Sequence, residues 1–591
     1  MLRDRGLVTG RADAPASVSD VEIAVPETIQ ATITARLDAL APDRKRLLHD
    51  AAVIGKVFWA GSLASIGHVP KEAVLEGLHE LARKELVRRS RHSTLTDDVE
   101  YSFWHVLVRD VAYAQIPRAD RARRHQAAAD WIARIAGERE YEEITGYHLE
   151  QAFRYRLELG PVGEHERDLA TRAAAFLGKA GRRAVVRGDR RGAANLLERA
   201  RALLPAGDRN RIELALPLSH RLFESGDDER CQQLLAQALD EAVQVGDERI
   251  EMHLRVRRAW MQSWWAPEGF VQEADEIATR ALRVFEQAGD ELGQARAWAL
   301  AAKRLRTLGY AGNVKEAWER ALDHARRAGD RAAERETLHW LALTLYWGRT
   351  PAEEATSRLQ EILREAEGDR ELEARIKRIL AGFRGMQGCF DEARGLLSEA
   401  NTIFEELGMR RAAVTISFIS GPIEIWAGNP DVAESALRES CEALQTVGER
   451  GALPYLAGFL AEALYVQGRL AESEHWTAVS ARTAATDDLD VQADWRCVQA
   501  KLLARRGRFD EAEAMGREAL EIVDRTGESD HKGDAYLDFA EICRLAGKTA
   551  DEEEALRQAI AWYDAKGNLV MAGKARMLLA ELGRQPSSAR A

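Results

Sequence analysis

The sequence predicts an all-α fold in which helix–turn–helix units of about 40 residues stack along one axis. Three observations predict it. Gly348, Gly388, Gly428, Gly468, Gly507 and Gly547 recur at intervals of about 40 residues. A second comb lies between those teeth: Gly289-Asp290, Gly329-Asp330, Gly368-Asp369, Gly408, Gly448-Glu449, Gly527-Glu528 and Gly567-Asn568. Two turns per period, with apolar helical spacing between them, specify two antiparallel helices per unit. Length is the third observation. A chain of 591 residues is too long for one compact core, but a solenoid extends its core along an axis and escapes that limit.

Composition narrows the function classes. The chain is 46% hydrophobic and 30% charged, as expected of a folded protein. Its net charge of −12 is widely spread and argues against general affinity for nucleic acid or membranes. No window holds the roughly 18 apolar residues of a membrane span, and MLRDRGLVTGRADAP lacks the apolar core of a signal peptide. A cytoplasmic location is expected. The cysteines Cys231, Cys389, Cys441, Cys497 and Cys543 stand far apart without a C-x-x-C pair, so no zinc site or disulfide framework is indicated. All five read as small residues buried at helix contacts. No metal and no cofactor are expected. Abundant alanine and arginine with sparse lysine suggest a GC-rich bacterial genome.

Residues 1–25 read as a helix end, Leu2 to Gly6, and two short extended runs, the second being Val21–Val25. They look like the edge of a domain whose body lies upstream. Residues 26–135 read as a helical module with a hairpin. A first helix starts at Pro26 with Ile29, Ile33, Leu37 and Leu40 as its stripe; Asp43 is expected to cap a second, with Leu47, Leu48, Ala51 and Ala52 inward. A third is expected from Pro70 to about Lys84, with Val74, Leu78 and Leu81 inward. The period then changes to two: Leu86-Val87-Arg88-Arg89 and Tyr101-Ser102-Phe103-Trp104 read as strands around a polar tip. Helices followed by such a hairpin make a winged helix.

Here a resemblance becomes specific. VPETIQATITARLDALAPDRKRLLHDAAVIGKVF and YSFWHVLVRDVAYAQIPRADRARRHQAAADWI resemble the segment following the ATPase domain in STAND/AAA-type signal-transduction ATPases with C-terminal tetratricopeptide (TPR) repeats. That family includes cyclase-linked proteins and LuxR-type regulators such as MalT. The residues that carry it include Pro26, Arg36, Leu40, Phe103, His105, Arg109, Tyr113, Arg121 and His125. The resemblance implies that residues 1–25 are the last part of a nucleotide-binding region and that the family's P-loop lies before them. Within the chain the sole Gly-Lys-Ser/Thr is Gly547-Lys548-Thr549, and the position where a Walker A motif needs its first glycine is Ile542. The triplet reads as a repeat turn. Leu95-Thr96-Asp97-Asp98 faintly resembles a Walker B motif but lacks a preceding apolar strand. His105 and His125 have no partner at a metal-ligand spacing and read as hydrogen-bonded structural histidines. Around the third helix, Glu72, Glu76, Glu80 and Glu85 would repel DNA phosphates. Arg83, Lys84, Arg88, Arg89 and Arg91 form one basic patch and Arg118, Arg121, Arg123 and Arg124 another, and both read as solvated or docking faces.

Residues 136–165 read as a helical connector with the stripe Ile144, Tyr147, Leu149, Phe153 and Leu157, closed by Gly160-Pro161. Residues 166–582 read as the solenoid, about ten units of the TPR-like, MalT-like variety. Gly181, Gly188, Ala193, Leu197, Ala200 and Pro205 fall close to a TPR consensus; Ala381, Gly388, Ala393, Leu397 and Ala400 repeat it. Small residues let the two helices approach and the leucine fills the gap to the next unit. Turns are also expected near Gly226, Gly269 and Gly312, and Leu578 and Leu579 belong to a capping helix. Residues 583–591 read as a polar tail.

Such arrays bind through an extended concave surface, with each unit contacting only its neighbours. The inward candidates on the first helices are Arg306, Tyr310, Tyr346, Arg378, Trp426, Tyr465 and Lys501, residue types that anchor interfaces and that also fill core gaps. Trp264-Trp265 and Trp340 read as filler, and Arg331 to Glu336 as a solvated helix face. The leading functional expectation is a non-catalytic regulatory or protein-interaction module. It would be the sensor arm of a signalling ATPase, binding a protein, a peptide or a small effector, or an ATPase or cyclase domain in trans. Two others remain: the C-terminal part of an active ATPase or cyclase, and a winged-helix transcriptional regulator.

Overall fold

The computed structural model describes residues 27–95, 97–135, 141–309, 311–526 and 529–584. The expectations for residues 1–25, Thr96, Tyr310, the turn Gly527-Glu528 and the tail from Gln585 lie outside the described residues. The chain forms two compact units, one ending at Leu177 and the other beginning at Gly178.

The first unit runs α1 (Glu27–Asp38), α2 (Pro42–Ile54), β1 (Val57–Trp59), α3 (Ala60–Gly67), α4 (Lys71–Arg83), β2 (Val87–Arg89), β3 (Glu100–Phe103), α5 (Val106–Ala114), α6 (Arg118–Ile135) and α7 (Glu142–Leu159). The expected hairpin is present: β2 pairs antiparallel with β3, Val87 opposite Phe103. A third strand, β1, pairs with the other edge of β3, Val57 opposite Ser102. Neither β1 nor α3 was expected, because three residues are too short to show alternation. β1 is held by its partner edge and by Phe58, fully buried against Tyr101 and Phe103. Asp98, in the Walker-B-like stretch, accepts from the Gly61 N–H at 2.8 Å and pairs with Lys71 at 2.8 Å, so it caps α3.

Three local expectations are corrected. α2 has Pro42 in its first turn and no side-chain cap; Asp43 pairs with Arg44 instead. Proline at that position needs no N–H, so the cap is dispensable. The stripe of α7 is rotated: Ile144, Tyr147 and Leu157 are exposed, while Thr145, His148, Leu149 and Ala152 are buried. And Cys389 is exposed at a turn, whereas the other four cysteines are buried. The two histidines are structural. His105 caps α5 by accepting from the Leu107 N–H. His125 is buried between the Tyr113 hydroxyl and His148, at 2.8 Å from each.

Paired helices follow. α8 (Glu164–Arg187) and α9 (Arg190–Ala202) begin the series. It continues with α10 (Arg209–Ser225), α11 (Asp228–Val245), α12 (Glu248–Trp265), α13 (Phe270–Ala288), α14 (Glu291–Thr307), α15 (Ala311–Ala328), α16 (Arg331–Trp347), α17 (Ala352–Glu365), α18 (Arg370–Met386) and α19 (Phe390–Glu406). α20 (Arg410–Val414) and α21 (Ser417–Trp426) together occupy one helix position. Then come α22 (Pro430–Thr446), α23 (Leu453–Val466), α24 (Leu470–Thr483), α25 (Leu489–Arg505), α26 (Phe509–Asp524), α27 (Ser529–Leu545), α28 (Thr549–Lys566) and the capping helix α29 (Leu569–Arg584). This is an all-α superhelical TPR fold.

The Gly-Asp pairs do two jobs. Gly289, Gly329 and Gly368 adopt left-handed φ values of 63–86°, which end a helix at little cost for a residue without Cβ. The next aspartate caps the following helix: Asp290 accepts from the Gly293 N–H at 2.8 Å, Asp330 from Ala333 at 2.9 Å, and Asp369 from Leu372 at 3.1 Å. Gly388, Gly428, Gly468, Gly507 and Gly547 are left-handed as well, but Gly348 is extended at φ −82°. The turn expected at Gly312 falls at Gly309, and Gly312 lies within α15. The repeat register holds: Ala393, Ala433 and Ala512 are at most 1% exposed. A Cβ on Gly421 would stand 2.9 Å from Leu437, and one on Gly181 2.9 Å from Leu197.

Contacts are not confined to neighbouring units. Arg411 grips Asp228 with both carboxylate oxygens at 2.5 and 2.7 Å, 183 residues away. The Arg450 and Gly451 N–H groups donate to the Trp264 carbonyl at 2.8 and 3.0 Å. Buried Lys566 donates to the Leu345 and Gly348 carbonyls at 2.9 and 2.6 Å, across 221 and 218 residues. The second unit therefore winds tightly enough that one superhelical turn rests on the next. Local helix pairing carries no signal of this closure.

Candidate functional site

Winding encloses a cavity. It lies between α10, α12, α14, α16, α18, α20, α21 and α23, with about 120 Å³ open to the centre of a water-sized sphere. These are the first helices of successive units. The lining holds six arginines against three glutamates, with four tryptophans, two phenylalanines and a tyrosine. Asp228, Asp369 and Asp490 stand directly behind three of these arginines, so the chamber is aromatic and densely charged with both signs rather than net cationic.

Most of the arginines are held by carboxylates that the turns position. Arg335 donates to Asp369 at 2.7 Å and Glu371 at 2.9 Å. Arg375 pairs with Glu224 and Glu371, each at 3.2 Å, so it also ties α18 to α10 across one superhelical turn. Arg411 lies over the Phe223 ring at 4.0 Å while it grips Asp228. Arg306 lies over Trp347 at 4.3 Å, donates to the Tyr455 hydroxyl at 3.3 Å and stands 3.8 Å from Asp490. The stretch Arg331–Glu336, expected to be a solvated face, is thus partly interior: Arg335 is buried and Glu336 lines the cavity.

Arg378 differs. It is 6% exposed and lines the cavity, its Nε is buried without a hydrogen-bond partner, and no carboxylate among the described residues forms an ion pair with it. Its guanidinium faces the Phe404 ring at 5.9 Å. Burial, with Arg375 beside it, pulls its pKa down to about 9. His339, also on the lining and 4% exposed, has a buried Nδ1 without a partner. Burial and the adjacent Arg375 and Arg378 hold it well below the usual histidine range.

The other sequence-derived residues fall in three settings. Tyr346 is buried, its ring edge-on to Phe383, and the Cα of Gly382 comes so close that a Cβ there would stand 2.4 Å from it. Trp426 packs against the cluster containing Leu503 and Ala504. Tyr465 and Lys501 belong to a separate buried network: Lys501 donates to Glu462 at 2.6 Å and Asp538 at 2.7 Å, and Arg505 donates to the Tyr465 hydroxyl at 2.8 Å. So Arg306 and Arg378 share the cavity, Tyr465 and Lys501 share a network, and Tyr346 and Trp426 pack between helices. Sequence reasoning missed Trp264 and Trp340 as lining; both were expected to be filler. It also missed Lys303, 9% exposed, whose Nζ sits 4.3–5.3 Å from the ring centres of Trp264, Trp260 and Trp340.

A tetratricopeptide-repeat model matches residues 494–565, which include α26, α27 and most of α28. No curated protein sequence matches the chain. Among solved structures, the chain is similar to a Signal Transduction ATPase with Numerous Domains (STAND) protein with a tetratricopeptide repeat sensor from Pyrococcus horikoshii. That similarity has a TM-score of 0.44 and 15% identity, and covers 76% of this chain and 64% of that one. The chain thus spans a little under two thirds of that protein's length. It is also similar to the APC/C hetero-tetramer Cut9-Hcn1, with a TM-score of 0.47 and 12% identity over 81% of this chain and 91% of that one. A third is a Rap protein complexed with competence and sporulation factor, with a TM-score of 0.34 and 12% identity over 64% of this chain and 99% of that one.

Proposed function

We propose that this chain is a regulatory interaction module whose solenoid interior is the binding surface. The observation that carries this reading is the cavity itself: arginines and tryptophans from six first-position helices, α10, α12, α14, α16, α18 and α20, converge on one space. Aromatic and arginine side chains are those that dominate binding energy at interfaces, and TPR arrays bind along their concave face. The residues resembling the post-ATPase segment, including Phe103, His105 and Arg109, support a finer reading. In it the chain is the sensor arm of a bacterial, cytoplasmic signalling ATPase of the MalT-like kind. The first unit, read as a winged helix, transmits the state of the solenoid to an ATPase or cyclase domain. Occupancy of the interior would then bias an assembly equilibrium by as much as the ligand's differential affinity for the two states.

A photo-crosslinking amino acid at Ala332, on the cavity lining, tests the reading against one at Met577, exposed at 64% on α29. Irradiation in cells should give a defined adduct, peptide or small molecule, at position 332 and none shared with position 577. Absence of any adduct specific to position 332 would remove the interior as the binding surface. An adduct to a nucleotide-binding domain from a position in the first unit, such as exposed Trp104, would support the signalling-ATPase reading.

A further inference from the structure

The cavity has a built subsite at Arg378, and its chemistry specifies the ligand more narrowly than the interior as a whole. We propose that Arg378 and the tryptophan walls bind a small organic anion with a flat aromatic body. This inference rests on the interior being the binding surface.

The argument is one of charge and shape. Four of the six lining arginines, Arg306, Arg335, Arg375 and Arg411, already face a protein carboxylate. Arg378 forms no ion pair among the described residues, Glu224 acting on it only at longer range; it is 6% exposed and its Nε lacks any acceptor. A buried guanidinium without a counter-ion is costly, because desolvation is not returned by Coulomb attraction. A carboxylate, sulfonate or phosphate in the cavity would supply the missing acceptors in the bidentate geometry that a guanidinium fork favours. The unpartnered Nδ1 of His339 on the same lining offers a further polar contact. Trp260, Trp264, Trp340 and Trp347 supply apolar surface for the rest of the ligand. A neutral sugar or a cation would leave Arg378 unanswered.

Two dyes of nearly equal shape separate charge from apolar binding: 8-anilinonaphthalene-1-sulfonate and the uncharged N-phenyl-1-naphthylamine. With the full chain, fluorescence titration should show one saturable site per chain for the sulfonate, and at least tenfold weaker binding of the neutral dye. Arg378→Met should erase that difference, while Arg557→Met, an exposed arginine on α28 paired to Glu553, should leave it unchanged. Thermal melts confirm that each variant is folded, and the comparison of the two dyes on the unaltered chain needs no variant. Equal affinity of the two dyes, or an unchanged sulfonate affinity in Arg378→Met, would overturn the anion subsite while leaving the interior as a binding surface. Failure of both dyes to bind would overturn the subsite as well. The interior reading would then stand or fall with the adducts at position 332.

Discussion

Lys303 and Lys501 occupy the thirteenth position of α14 and α25, 198 residues apart. Both are buried, at 9% and 1% exposure, and both lie near aromatic rings. Their surroundings are opposite. Lys501 donates to Glu462 and Asp538 and faces the Tyr465 ring at 4.8 Å. Burial alone would lower its pKa, but the two carboxylates outweigh burial and hold it well above the ordinary lysine value. Lys303 sits among three indoles, and its Nζ has no hydrogen-bond partner. Burial, with Arg306 nearby, drives its pKa well below the ordinary value. The same residue at the same helix position is thus a locked ion pair in one place and a strained amine beside the cavity in the other. Stability is invested around Lys501, and electrostatic tension is concentrated at Lys303 beside the tryptophans of the cavity wall.

That contrast can be broken in several ways. Lys501→Met should have the largest effect, a loss of about 3–5 kcal/mol in chemical denaturation, because it strands Glu462 and Asp538 without their cation. A loss below about 1 kcal/mol would show that the network is not a structural lock. Ala393→Trp sets the scale for packing without charge. Ala393 is fully buried between helices, so overpacking should cost about 1–3 kcal/mol, and an unchanged melting temperature would refute the repeat register. Lys303→Met should change stability by no more than about 1 kcal/mol in either direction. It loses cation–π attraction of about 0.5–2 kcal/mol but removes an unpaired buried cation; a large loss would mean that Lys303 has a counter-ion after all.

The smallest effect is also the sharpest. A lysine with a lowered folded-state pKa binds fewer protons folded than unfolded, so its contribution to stability rises as pH increases toward the unfolded value. The melting temperature of Lys303→Met relative to the unaltered chain should therefore fall between pH 7 and pH 10. A lysine with a raised folded-state pKa contributes fully below the unfolded value and loses that contribution only above it. Lys501 itself thus adds no pH dependence below the unfolded value, and drift in the Lys501→Met deficit over this range reports the stranded Asp538, whose carboxyl burial already raises to about 7. A Lys303→Met difference that stays flat from pH 7 to pH 10 would erase the distinction.

Much of the fold was legible because it is local. Glycines at fixed spacing demand left-handed turns, the following aspartates cap the next helix, and alanines opposite leucines set the helix approach. The hairpin β2–β3 was legible by its period of two. β1 was not, since a three-residue strand exists through pairing to β3 rather than through its own pattern. Of the site, Arg306 and Arg378 were found by residue type and helix position. Trp264 and Trp340 were not, because periodicity cannot tell an indole that fills a gap from one that walls a cavity.

The sequence by itself determined the repeat, the helix boundaries within a few residues and the small-against-large packing inside each unit. All of these depend on residues within about 40 positions of one another. Only the tertiary structure decided which arginines meet carboxylates, that Arg378 does not, and that Arg411 reaches Asp228 across 183 residues. Small rotations between successive units accumulate along the array until distant turns touch. No local pattern encodes that sum, and it alone closes the chamber around Arg378.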